Sequence, residues 1–108
     1  MNELNLNDRL KTQDFVTKTI LQLEKDFERC NLQINLSHSS DRYSLEDEIL
    51  TSIQNVTATK LQQLIYIIDI PENEYSKISG TEFFFRALAE KILRREALKV
   101  FIRENLSV

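Results

Sequence analysis

Lys91, Arg95, Lys99 and Arg103 recur at steps of four, which lays four cations along one strip of a helix. Such a strip can meet a phosphate backbone or an acidic protein surface. The same residue types also collect near a helix C-terminus, where the dipole favours them by about 0.3–1 kcal/mol each. Glu82–Arg86, Glu90–Arg94 and Glu96–Lys99 are spaced to pair within the helix. A solvated, internally paired face therefore ranks ahead of a protein contact, and nucleic acid ranks last.

The groups able to act as nucleophile, base or ligand do not converge in sequence. His38 is the only histidine and stands between serines, so a zinc site has no second imidazole or cysteine pair to build on. A Ser–His–Asp relay through Asp41 would lack a nucleophile elbow. Cys30 ends an apolar stripe, where a cysteine acts as a small hydrophobe. Glu46, Asp47 and Glu48 are consecutive and fan round a helix. Asp69, Glu72 and Glu74 flank Pro71, as a helix terminus followed by a helix start would require. Tyr43, Tyr66 and Tyr75 could edge a groove, or bury their rings and wet their hydroxyls. No catalytic, cofactor-binding or metal-ligating residues are assigned, and no enzyme activity or small-molecule substrate is expected.

Composition narrows the class. The 108 residues carry one glycine, Gly80, and one proline, Pro71, which disfavours a hairpin-rich β fold and removes phosphate-cradling loops. Apolar residues at 42% and charged residues at 29% suit a globular chain with one core. Net charge is −3 and uneven: residues 1–80 carry 8 basic and 13 acidic residues, residues 81–108 carry 6 and 4. The acidic majority weighs against nucleic acid. The polar N-terminus lacks the pattern of a signal peptide, and no apolar run is long enough to cross a membrane. With a single cysteine, the expected location is the cytoplasm.

Periodicity predicts an all-α, compact antiparallel bundle in one domain, residues 1–108, with 1–11 frayed. Four principal helices are expected near 12–30, 44–56, 58–69 and 81–105, with a short extra turn near 71–77. In the first, Val16, Ile20, Leu23, Phe27 and Cys30 make one narrow stripe, with Thr12 as its cap. Ser44 and Asp47 suggest a capping box for the second. Thr57 or Thr59 caps the third, whose Leu61, Leu64, Ile65 and Ile68 share a face, and this apolar segment is expected at the centre. Thr81 is expected to cap the fourth. An α+β alternative pairs 32–36, where apolar and polar residues alternate, with 64–70.

Several apolar residues fall outside these stripes. Leu21 lies among charges, Tyr66, Ile67 and Ile70 point away from the third helix's main face, and Phe83, Phe84 and Phe85 fan about 100° apart. This surplus predicts a protein–protein interaction module or homo-oligomer, a homodimer first of all, that uses those seven residues. A helix-turn-helix-like nucleic-acid-binding domain using the basic strip is the alternative, and a small enzyme comes third.

Overall fold

In the computed structural model, which describes residues 8–38 and 41–106, helix α1 (Gln13–Arg29) buries all five residues of its predicted stripe. Phe15, Thr19 and Asp26 are buried beside them and widen the contact face. Thr12 occupies the cap position without capping. Its hydroxyl donates instead to the Arg9 carbonyl at 2.9 Å, because residues 8–12 form a turn that folds back on itself. That turn buries Leu10 in the core, while Asp8, Arg9 and Lys11 stay exposed. Residues 1–7 of the segment expected to fray lie outside the described residues. Asn31 ends α1 in the left-handed region at φ 57°, and the Leu32 amide reaches back to the Phe27 carbonyl at 3.0 Å.

Residues 32–37 form neither helix nor strand. Leu32, Ile34 and Leu36 pack half-buried against the core, which explains the alternation. No strand forms among the described residues, because 64–68 is helix, and the α+β alternative falls. Helix α2 (Arg42–Gln54) begins two residues earlier than expected. Asp41, not Ser44, is its cap, accepting from the Ser44 amide at 2.9 Å. Helix α3 (Ala58–Ile68) is capped by Thr57, whose hydroxyl accepts from the Lys60 amide at 3.2 Å.

Asp69 closes α3 in the left-handed region at φ 69°, with the Ile70 amide returning to the Ile65 carbonyl at 3.2 Å. This ending turns the next side chain inward, so Ile70 is buried, not presented. Pro71 then opens α4 (Glu72–Ile78), since its fixed φ suits a helix start. Gly80, at φ 80°, lets the chain turn into α5 (Phe84–Leu106). That helix starts three residues later than expected. The Thr81 hydroxyl donates to the Ile78 carbonyl at 2.7 Å and is not free to cap.

The centre of the bundle is α5, not α3. It touches α1, α2, α3 and α4, and it seals Leu88, Ala89, Ile92, Leu93, Ala97 and Val100 from solvent. By contrast α3 leaves Gln62, Gln63 and Tyr66 outside, so one of its sides is surface. Direction along the seam is legible in its polar contacts. Moving along α5 through Lys91, Arg95, Lys99, Arg103 and Glu104, the partners step back through Glu74, Asp69, Asp26, Gln22 and Lys18. Helix α1 therefore runs antiparallel to α5. The radius of gyration, 13.3 Å, is that of a folded chain of about 100 residues. Among the described residues no helix is long and apolar enough to cross a membrane.

Ile68 has no exposed surface. Ile68→Asp should destabilise the fold by several kcal/mol, since the charge has no partner there. Denaturant titration followed by circular dichroism measures it, and an unchanged midpoint would remove Ile68 from the core.

Candidate functional site

The basic strip is a seam between helices. Lys91 lies 3.5 Å from Glu74 on α4, and Arg95 donates to Asp69 at the end of α3 at 2.9 Å. Lys99 reaches Asp26 on α1 at 2.8 Å, and Arg103 donates to Gln22 at 3.0 Å. Four-residue spacing does put the cations on one strip, but that strip faces three neighbouring elements, not open solvent. Of the expected intrahelical pairs, Glu90–Arg94 and Glu96–Lys99 form at 3.8 and 3.0 Å. Arg86 turns away from Glu82 to Asp47 on α2, at 2.7 Å.

Where the strip crosses α1, two acids are buried against one lysine. Asp26 is 1% exposed and Glu96 0%. Lys99 Nζ donates to Asp26 Oδ2 and Glu96 Oε1, with the Ile67 carbonyl at 3.4 Å. Gln22 adds a donor to Asp26 at 3.2 Å, and Arg29 stands 3.7 Å from its other oxygen. Glu96 Oε2 is buried with no hydrogen-bond partner among the described residues. Burial, reinforced by the adjacent Asp26, pushes the Glu96 carboxyl up to about 8 against the pull of Lys99. Burial also acts to raise Asp26, but hydrogen bonds from Glu96, Lys99 and Gln22 outweigh it and hold that carboxyl below its ordinary range. Sequence reasoning paired Glu96 with Lys99 but missed the cluster. A signal was present: Asp26 follows Leu23 by three within the α1 stripe, and Glu96 stands midway between Ile92 and Val100.

Beside this cluster lies an open groove of about 540 Å³. The end of α1 lines it with Arg29, Cys30 and Asn31; α3 supplies Lys60, Gln62, Gln63, Tyr66 and Ile67. It holds two cations, several amides and a phenol ring, with no acid in its lining. Lys60 spends one donor on the Cys30 carbonyl at 2.9 Å, tying α3 to the end of α1.

From the groove an aromatic line continues across the surface. Gln62, four residues before the exposed Tyr66 and on the same side of α3, donates to the Tyr75 hydroxyl at 3.2 Å. Tyr75 meets Phe84 edge-on at 5.8 Å, and Phe84 meets Phe85 at 5.1 Å. Tyr66 is 85% exposed and Phe83 68%, while Phe85 is just outside and Phe84 half-buried. Of the seven residues expected at an interface, Tyr66, Phe83 and Phe85 are open and Ile67 and Phe84 partly so. Leu21 is exposed on α1, and Ile70 is internal.

The remaining chemical groups stand apart. His38 is exposed, 3.4 Å from Glu24, and its carbonyl accepts from Gln13. Asp41 is occupied with its cap, and the Ser44 amide lowers its carboxyl below the usual range. Glu46, Asp47 and Glu48 diverge to Arg42, Arg86 and the Ser37 amide. Burial pushes the Cys30 thiol up, and Lys60 and Arg29 offset it only in part. Among the described residues no acid, histidine or cysteine group gathers as a metal site would.

Comparison of the chain with protein-family models, with curated proteins and with solved structures gives no match.

A thiol that is 3% exposed and has a raised pKa presents little thiolate to a reagent while the fold is closed, even at the groove's edge. Cys30 in the native protein should therefore be modified by a thiol reagent at neutral pH far more slowly than in denaturant. Comparable rates in the two conditions would place Cys30 at the surface.

Proposed function

We propose that this chain is a protein–protein interaction module that pairs with a second copy of itself. The supporting observation is the ring series Tyr75–Phe84–Phe85, whose Tyr75 hydroxyl accepts from Gln62 on the same side of α3 as the exposed Tyr66, with the exposed Phe83 next to Phe84 in sequence. Aromatic rings bury much area for little lost side-chain freedom, and interface energy concentrates on such residues. Scattered apolar residues on a surface mean little, whereas a connected patch of large ones marks association. The rim suits a two-fold partner, because Glu74–Lys91 and Asp47–Arg86 carry both signs at its edge. A copy rotated about a two-fold axis can set each sign against its opposite. The lone cysteine, with no second thiol in the chain, suits a reducing cytoplasm.

A nucleic-acid-binding role has less support. Lys91, Arg95, Lys99 and Arg103 each engage an acceptor on another part of the chain, and phosphate would compete with those contacts.

Sedimentation velocity over a wide concentration range tests the proposal. The wild-type chain should show a concentration-dependent dimer, and Phe83→Ser with Phe85→Ser should weaken it at least tenfold. Phe83 is 68% exposed and Phe85 36%, so helical content should be retained and the midpoint lowered only by the loss of the Phe84–Phe85 contact. A wild-type chain that stays monomeric at near-millimolar concentration would overturn self-association.

A further inference from the structure

Two carboxyl groups sealed from water share a single ammonium, and the geometry around them is lopsided. From α1 come Asp26, the Gln22 amide and, at the rim, Arg29; from α5 come Glu96 and Lys99. From α3 comes only the Ile67 carbonyl, while Asp69 just beyond that helix is taken up by Arg95. Arg103 contributes indirectly, by holding Gln22. Cys30, at the end of α1, is near enough to feel the Asp26 charge. The residues that α2 buries are all aliphatic, Leu45, Ile49 and Ile53, and α4 buries none. No buried charge from those two helices can balance the cluster.

If both acids were ionised, two buried negative charges would face one half-buried lysine, with Arg29 only at the exposed rim, and Glu96 Oε2 would have no donor. A proton on Glu96 removes one charge and turns the contact with Asp26 from repulsion into donation. We infer that Asp26, Glu96 and Lys99 form a one-proton latch that holds α5 against α1 and α3, and that releasing the proton loosens this seam beside the groove. Two groove-lining residues touch the latch directly, Arg29 through Asp26 and Ile67 through its carbonyl. Proton release therefore reaches the surface next to Tyr66.

The direction of the pH effect follows from the proton count. The unfolded chain releases the Glu96 proton near 4.5, and the folded chain keeps it until about 8. Between these values the folded state binds one more proton, so stability falls as pH rises and levels off above about 8. Asp26 acts oppositely: its contribution is present above its unfolded value of 3.8 and is lost as pH falls through its lower folded value. Stability should peak on the acidic side of neutrality.

Three measurements on the full chain decide the matter. The folding equilibrium constant, from denaturant titrations between pH 5 and 8, should fall by up to tenfold per unit in the wild type. Glu96→Gln, which imitates the protonated acid, should flatten that slope. Carbon-13 NMR of the folded wild type should show the Glu96 carboxyl titrating near 8, apart from the exposed glutamates, and needs no variant to fold. Amide hydrogen exchange, corrected for its intrinsic pH dependence, should show protection lost first at the end of α1 and in α3, while α2 keeps its own. Glu96 titrating with the exposed glutamates, an equal slope in wild type and variant, or uniform loss of protection would each overturn the latch.

Discussion

A carboxyl group without access to water sits in the helix that every other helix touches. Glu96 belongs to α5, between turns that bury Ile92 and Val100, and the acid most directly opposing it, Asp26, is equally sealed. Moving such groups out of water costs several kcal/mol each, which geometry must offset. Lys99 supplies the offset by contacting both acids at 2.8 and 3.0 Å. Sliding α1 by one turn would separate Asp26 from that ammonium and strand both acids. The cluster thus penalises every alignment of α1 on α5 except the observed one, a selectivity that interchangeable aliphatic contacts lack.

The same constraint explains how a nearly glycine-free chain packs tightly. Antiparallel helices around α5 need sharp reversals, and reversals favour residues that tolerate positive φ. Asn31 and Asp69 fill that role at the ends of α1 and α3, and Gly80 precedes α5. Asp69 also receives Arg95, so one residue ends a helix and anchors it. Ending α3 this way turns Ile70 inward and leaves Tyr66 outside. The exposed aromatic line is therefore a consequence of how α3 terminates as much as of what it contains.

Charges and exposed rings divide along the same boundary. The cations that could have met phosphate are engaged in aligning the helices, while Phe83 and Tyr66 add little to the core that α5 organises. Interior charges set the alignment, and the rings of Tyr66 and Phe83 stay at the surface. A groove whose two helices are tied through Lys60, with the Ile67 carbonyl held by Lys99 of α5, lies between the two.

By itself, the sequence determined the helical class, the four main helices to within three residues at each end, a threonine cap at Thr57 or Thr59 and the stripe of α1. These follow from local spacing and from scarce turn residues, which act over one or two helical turns. It also exposed the surplus of aromatic residues, since consecutive phenylalanines cannot share a face. What it could not determine was which helix lies at the centre, which acids are buried, and where the cations of α5 point. Those depend on elements up to 86 residues apart, as for Lys18 and Glu104. Only tertiary structure decided them, because burial and charge pairing are properties of the space between helices, and local periodicity carries no information about which helix fills that space.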